Sequence, residues 1–225
     1  MYQDSSIIHN VSINENEYNK HKRLLVFDTE TTGLKNSKEY ILQLCFIVYD
    51  IPKKEIIRTY NSYIKIPPNI EIKEEITKIN GITREICDEK GVPIEDALLE
   101  FAHEYLCSDI IVAHNLDFDK YFIELEISRN LYKLVDNSPY IAGLFSNILC
   151  NSFKIKHECS MKLSCKIVNI MTPLKDGKPR KTPKYPSLLE LYQYLFGTIP
   201  EGRLHDALTD TLVCLKCYLK ISNIE

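Results

Sequence analysis

The sequence of 225 residues predicts an α/β domain in which helices pack against a mixed β-sheet. Two observations lead to this prediction. In the first third of the chain, three strand-like segments follow one another through short connections, which favour antiparallel hairpins over crossovers. Further along, helical patterns alternate with a short apolar run that is typical of a buried strand. No internal repeat or second domain boundary is visible, so residues 22–225 are predicted to form one domain.

The predicted first strand ends in two acidic residues. Residues 24–27 form an uninterrupted apolar run that leads directly into Asp28 and Glu30. Because side chains alternate along a strand, these two carboxylates point to the same face. Like charges so close together raise each other's pKa, so a compensating partner is expected. The second and third strands are predicted over residues 40–50 and 55–66.

Helical periodicity and terminal residues place the remaining elements. In chain order they are a short helix at 74–79 before Gly81, a helix from Pro93 to residue 107, a strand at 109–115, and helices at 117–133, 187–197 and 206–220. Residues 157–169 are ambiguous, with room for a last strand. Residues 1–21 are polar and are predicted to be a loosely ordered leader.

Composition excludes some classes of protein. No apolar run approaches the roughly 18 residues of a membrane span, and residues 1–21 lack the apolar core of a signal peptide. We therefore expect an intracellular, soluble protein, in the cytoplasm or the nucleus, without a membrane partner. Its eight cysteines are scattered through apolar segments and are interpreted as buried thiols rather than as zinc ligands.

A basic, proline-rich segment covers residues 172–186. It carries five Lys or Arg residues and a single acid, Asp176, although the whole chain has a net charge of -3. Taken alone, such a segment is most simply a solvated loop. Its charge also suits contact with nucleic acid, and this alternative stays open.

Two later segments carry further polar residues beside apolar faces. His114 and Asn115 end the strand at 109–115, and Asp119 falls in the first turn of the next helix. Asp119 shares a helix face with the apolar residues that follow it, so it is predicted to face the sheet. The alternative is that Asp119 only complements the helix dipole.

The final helix carries Asp210 on the apolar stripe that includes Cys214 and Cys217. An isolated charge in such a place is unfavourable unless it is paired or bound to a metal ion. His205 lies five residues earlier, which is about 140° away on a continuous helix. It can therefore approach Asp210 only from the loop before the helix, with Asp206 as the N-cap.

Three separate segments thus deliver Asp28, Glu30, Asp119 and Asp210 to one edge of the predicted sheet. Four clustered carboxylates need positive charge, and hard oxygen ligands favour Mg²⁺ or Mn²⁺ over zinc. Two such ions about 3.5–4 Å apart are a recurrent arrangement for phosphodiester hydrolysis. The sequence therefore predicts that Asp28 and Glu30, the two acids at the end of the first strand, are metal ligands.

The motifs FDTETTGL (27–34), AHNLDFD (113–119) and HDALTD (205–210) resemble the three motifs of the DEDDh, or DnaQ-like, 3′–5′ exonuclease family. INGIT (79–83) resembles the family's segment between the first two motifs, and the resemblance covers roughly residues 22–220. It implies a ribonuclease-H-like fold, with a mixed five-stranded sheet whose first three strands are antiparallel.

The resemblance also implies roles for the site residues. Asp28 would bridge two metal ions. Glu30 and Asp210 would hold one of them, and Asp119 would support the other. His205 would be the general base, because an ordinary histidine pKa near 6.5 suits proton removal from water at neutral pH. The product would be a nucleoside 5′-monophosphate released from a 3′ end.

Five residues are expected by analogy to line the pocket for the terminal nucleotide: Thr31, Leu34, Ile82, Asn115 and Phe118. For Leu34, Ile82 and Phe118, a place in the core is the alternative. Single-stranded DNA is favoured over RNA as the substrate, and a polymerase partner or a homodimer stays open. A non-catalytic binding module on the same fold is the competing hypothesis, although all five positions of the active set are filled.

Overall fold

The structure, a computed structural model, describes residues 22–173 and 176–224. The predicted leader, residues 1–21, and two positions of the basic segment lie outside the described residues. The described strands are β1 (Arg23–Thr31), β2 (Ile41–Asp50), β3 (Glu55–Tyr63), β4 (Ile110–Ala113) and β5 (Lys156–Cys159). They form one sheet in the spatial order β3-β2-β1-β4-β5. β1, β2 and β3 pair antiparallel, whereas β4 and β5 join in parallel, which confirms the predicted mixed sheet.

Helices cover both faces of this sheet. The described α-helices are α1 (Glu74–Asn80), α2 (Arg84–Lys90), α3 (Ile94–Leu106), α4 (Leu116–Leu134), α5 (Asn147–Phe153), α6 (Ser160–Val168), α7 (Leu188–Phe196) and α8 (Ala207–Ile221). Gly81 ends α1 in the left-handed conformation, as predicted, with φ 79°. Asp206 caps α8 by accepting a hydrogen bond from the Thr209 amide, which confirms the predicted start of the final helix.

The alternation of side chains along β1 divides the core into two layers. Leu25 and Phe27 lie in the apolar layer under α3 and α4, where Phe101 and Phe122 are also fully buried. Leu24 and Val26 point the other way and pack in the layer under α8. A central strand covered on both faces needs an unbroken apolar run, which explains the sequence before Asp28.

The structure adds elements that the sequence pattern did not predict. α2 and α5 have seven residues each, which is too short for helical periodicity to stand out. The ambiguous residues 157–169 divide between the end of β5 and α6. No described helix is long and apolar enough to cross a bilayer.

Most of the cysteines are buried thiols, as the sequence predicted, but Cys107 is exposed and Cys165 is half-buried. Six of the eight are buried, and the one group of three or more candidate metal ligands among the described residues contains no cysteine. Burial raises the pKa of the Cys45 thiol to about 12, so this thiol stays protonated and acts as part of the core.

Candidate active site

Four acidic side chains and two histidines, His114 and His205, line a single cavity of about 410 Å³ near the carboxyl end of β1. The predicted active set among them is Asp28, Glu30, Asp119, His205 and Asp210. β1 supplies the first two, the first turn of α4 supplies the third, and α8 with the loop before it supplies the last two. The structure therefore brings together all five residues that the sequence analysis placed in the active set.

Asp119 is fixed against β1 by Thr29. Thr29 donates two hydrogen bonds to Asp119 Oδ1, one from its backbone N–H at 3.0 Å and one from its hydroxyl at 2.8 Å. The chain enters α4 through Asn115, whose φ of 110° is outside the usual range for a residue with a side chain. This turn lies between β4 and α4 and lets the first turn of α4 face the sheet, as predicted. Asp119 is consequently buried.

His205 and Asp210 are held together by the backbone. The His205 amide donates to Asp210 Oδ2 at 3.1 Å, and His205 has a left-handed φ of 62°. Asp206 anchors the turn, because its carboxylate accepts from the Thr209 amide at 3.1 Å and from Gln43 Nε2 at 3.1 Å. His205 thus precedes the helix, as predicted, and its side chain is exposed at the cavity.

The cavity disfavours negative charge. Burial and the neighbouring carboxylates raise the pKa of Asp28 well above its ordinary value and raise the pKa of Glu30 to about 8. Burial raises the pKa of Asp119 to about 7, against the hydrogen bonds from Thr29 that lower it. Burial likewise raises the pKa of Asp210 to about 6. At neutral pH the cluster therefore needs a cation to keep its carboxylates ionised.

The described part of the chain does not provide that cation as an ion-pair partner. None of the four acids forms an ion pair with a Lys or Arg among the described residues. Asp210 Oδ1 is buried and accepts no hydrogen bond. One ligand atom each from Glu30, His205 and Asp210 lie within 4.8 Å of one another. An unpartnered buried oxygen beside other ligands fits a bound metal ion, which would satisfy it.

The structure separates the expected nucleotide-contacting residues into two groups. Thr31, Leu34, Asn115 and Phe118 line the cavity, and the Leu34 side chain is 83% exposed. Ile82 does not line it: this residue is 2% exposed and packs in an apolar cluster away from solvent. Because Ile82 is covered by its own core neighbours, it is not accessible to a nucleotide.

Sequence reasoning missed Asn80, which reaches the site from the end of α1. Asn80 is buried, lines the cavity and hydrogen-bonds the Glu30 carboxylate, which lowers the pKa of Glu30 against the effect of burial. Ile79, beside it, lines the cavity and is half exposed. The signal was present in INGIT, but an Asn before the Gly81 helix end is also common for purely local reasons.

His114 lines the cavity as a neutral anchor. Burial lowers the pKa of His114 to about 4. Its Nε2 lies 3.1 Å from the Pro186 carbonyl, and its Nδ1 lies 2.9 Å from Ser160 Oγ. A carbonyl can only accept, so Nε2 carries the proton and Nδ1 accepts from the serine hydroxyl. His114 thereby ties the segment before α7 and the start of α6 to the cavity wall.

Comparison with known proteins identifies the family. The exonuclease family model matches residues 25–218. The DNA polymerase III subunit epsilon of Treponema pallidum is 31% identical over 143 residues, covering 61% of this chain and 64% of that protein. The PolC-type DNA polymerase III of Caldanaerobacter subterraneus subsp. tengcongensis is 31% identical over 140 residues, covering 55% of this chain but 10% of that protein. This chain thus spans less than two thirds of either relative.

The solved structures agree on the fold. E. coli Exonuclease I in complex with a dA16 oligonucleotide superposes with a TM-score of 0.64 at 19% identity, covering 91% of this chain and 41% of that one. The family model covers the strands and helices that carry all five cavity residues. On these grounds the chain belongs to the exonuclease family, within the DEDDh group that has a ribonuclease-H-like fold.

Proposed function

We propose that this protein is a metal-dependent 3′–5′ exonuclease that hydrolyses the terminal phosphodiester of single-stranded or frayed nucleic acid. The observation that carries the proposal is the cavity in which four carboxylates and His205 meet without a Lys or Arg counter-ion among the described residues. Membership of the exonuclease family supports the same reaction. The products would be nucleoside 5′-monophosphates.

Asp28, Glu30, Asp119 and Asp210 are the residues that would hold the metal, as two Mg²⁺ or Mn²⁺ ions per site. Their oxygen ligands suit these hard cations, and the raised pKa values would return toward the ordinary range once positive charge is bound. When bound, such ions stabilise negative charge on a phosphate and its leaving oxygen.

His205 is the proposed general base. Its side chain is exposed at the cavity, so it can reach a water molecule beside a bound phosphate and take its proton. The hydrogen bond from its amide to Asp210 and the Asp206 cap hold the backbone from which the imidazole projects. The resulting imidazolium would lie next to the carboxylates of Glu30 and Asp210, which stabilise its charge.

The terminal nucleotide is proposed to enter between two apolar side chains. Leu34 and Ile79 both line the cavity and are exposed, so they can pack on the faces of a terminal base. Thr31, Asn115 and Phe118 complete this end of the cavity. Apolar contacts with a base do not distinguish DNA from RNA. We favour single-stranded DNA, because E. coli Exonuclease I, which shares the fold, was solved with a dA16 oligonucleotide.

The test is product analysis on matched DNA and RNA oligonucleotides with a labelled 3′ end, in Mg²⁺, Mn²⁺ or EDTA. We expect metal-dependent release of mononucleotides from the 3′ end. Asp210→Ala and His205→Ala should each lower the rate by at least about a hundredfold while the melting temperature shows a folded protein. Asp88→Ala and His103→Ala, at exposed positions on α2 and α3, are the matched controls and should keep the full rate.

Two results would contradict the proposal. Absence of mononucleotide release by the folded wild-type protein in either metal would favour the non-catalytic binding module. A near-native rate for either active-site variant would refute the role given to that residue. The polymerase III relatives make a polymerase-associated task the natural setting for either function, and this association is part of the proposal.

A further inference from the structure

A second concave surface lies beside α6, outside the catalytic cavity. Here the basic segment folds back on α6, and Lys184 donates its amide to the Ile170 carbonyl at 2.9 Å. The two elements enclose an open groove of about 1010 Å³. We call this the α6 groove and define it by Lys162, Lys166, Arg180, Lys184 and Tyr185.

The α6 groove is lined by cations although the chain is acidic overall, with a net charge of -3. Two of its four cations are ion-paired: Lys162 with Asp117 and Lys184 with Glu190. Lys166 has no carboxylate partner among the described residues, and Arg180 donates only to the Thr172 carbonyl at 2.9 Å. The groove therefore keeps positive charge that is available to an anionic ligand.

The same groove presents apolar surface. The Tyr185 ring is 56% exposed, and Leu163, which also lines the groove, is 46% exposed. A cationic channel with an exposed aromatic ring is the combination that tracks single strands, because phosphates pair with the cations and bases stack on the ring. A purely electrostatic surface would not require this tyrosine.

The groove adjoins the catalytic cavity. Pro186, the residue after Tyr185, accepts a hydrogen bond through its carbonyl from His114, which lines the cavity. On the other side, Lys162 pairs with Asp117, two residues before the cavity residue Asp119. Both contacts join the wall of the groove to the wall of the cavity. A strand whose 3′ end occupies the cavity can therefore continue into the groove.

We propose that the α6 groove binds the backbone and bases of the single strand on the 5′ side of the scissile phosphate. This inference rests on the proposed exonuclease function. It assigns to the basic segment a role in holding longer substrates, which the catalytic cavity alone does not provide. An acidic protein segment is the other ligand that cations attract, but it leaves the stacking surface at Tyr185 unexplained.

The test measures oligonucleotide binding without turnover. Fluorescence anisotropy of a single-stranded DNA of about 12 nucleotides is recorded in EDTA over a series of salt concentrations. Lys166→Ala combined with Arg180→Gln should reduce the slope of log affinity against log salt by about 1.4, which is two phosphate contacts at about 0.7 each. Tyr185→Ala should weaken binding at least about fivefold with little change in that slope.

The control removes the same charge elsewhere. Lys53 lies in the β2–β3 turn, at the edge of the sheet opposite β5 and α6, and Lys90 ends α2. Lys53→Ala combined with Lys90→Ala should leave the slope at the wild-type value. Hydrolysis adds a second measurement: the Lys166/Arg180 variant should lose kcat/KM on the long strand but retain it on a dinucleotide.

Three outcomes would overturn the inference. The first is a salt slope that is equal in the groove variant and the wild type, and the second is an equal loss of slope in the control. The third is unchanged oligonucleotide binding by the groove variant while a poly-glutamate peptide binds only the wild type, which would assign the groove to an acidic protein segment. Absence of hydrolysis by the wild type would refute the proposed function but leave the binding comparison interpretable.

Discussion

The buried acids at the two ends of β1 differ in whether the fold supplies them with a counter-ion. At the beginning of β1, Glu104 from α3 is 5% exposed and forms ion pairs with both Arg23 and Arg58. Near its other end, four acids share a cavity without a Lys or Arg partner among the described residues. The first group is neutralised by the chain, whereas the second requires charge from outside. A buried carboxylate thus indicates function when its counter-ion is absent from the fold.

The largest difference in stability should appear when a buried glutamate at each end of β1 is replaced by glutamine. Glu104→Gln should lower the free energy of unfolding by about 2–3 kcal/mol, a discounted value because both arginines are about a third exposed. This corresponds to a fall of roughly 4–12 °C in melting temperature. The exonuclease rate at lower temperature should not change, because Glu104 is remote from the cavity.

Glu30→Gln should have the opposite effect on the metal-free protein. The raised pKa of Glu30, about 8, means that ionising this carboxyl in the folded state is unfavourable, and glutamine carries no charge. In EDTA at a pH near 8.5 we expect stabilisation by about 1 kcal/mol, or roughly 2–4 °C, together with loss of hydrolysis in metal. Destabilisation of similar size by both variants would contradict the comparison.

A smaller effect should appear in the pH dependence of stability. Glu30 and Asp119 keep their protons to about pH 8 and 7 when folded, so the folded state binds more protons than the unfolded state above the ordinary carboxyl range. The free energy of unfolding should therefore fall as pH rises from about 6.5 to about 8. This window lies above the titration of His114, whose lowered pKa acts with the opposite sign at lower pH.

Thermal melts in EDTA across that window measure this slope. Mn²⁺ at the upper end of the window should restore the melting temperature, and Glu30→Gln should flatten the slope. A melting temperature that rises with pH in EDTA would show that the fold itself already stabilises the ionised carboxylates, which would contradict the comparison.

The smallest effect should come from removing one of the two cations at the beginning of β1. Arg58 pairs with Glu104 and Glu100 and also lies over the Phe46 ring at 5.7 Å. Arg58→Met keeps much of the apolar stem, and Arg23 still pairs with Glu104. We expect a loss of about 1 kcal/mol or less, measured by urea denaturation. A loss as large as that of Glu104→Gln would mean that Arg23 contributes nothing.

The central strand and the acids that converge on the cavity could be predicted from the sequence. The uninterrupted apolar run before Asp28 predicts a central strand, because only a strand with helices packed on both faces buries every residue of such a run. The positions of Asp119 and Asp210 followed from helix geometry, since each lies on the apolar side of its helix. The short helices α2 and α5 were not predicted, because two turns give no periodic signal, whereas α1, which is equally short, was predicted from Gly81 at its end.

Ile82 was predicted to line the nucleotide pocket, but Ile79 lines it instead, and this error had a different cause. Gly81 reverses the chain in a left-handed conformation, and beyond such a turn the spacing of apolar residues no longer tells which face each occupies. Ile79 is therefore half exposed at the cavity, whereas Ile82 is buried. Asn80 escaped notice for the same reason, because its contact with Glu30 depends on where the turn places α1 against β1.

The cavity draws its acids from β1, α4 and α8, and β1 and α8 are the first and the last secondary-structure elements described. During synthesis, the ribosome releases Asp28 long before Asp210 has been translated. The proposed hydrolysis would therefore require that α8 has docked on the sheet. Under the proposed function, a nascent polypeptide that lacks α8 would be unable to hydrolyse nucleic acid, however well its earlier part had folded.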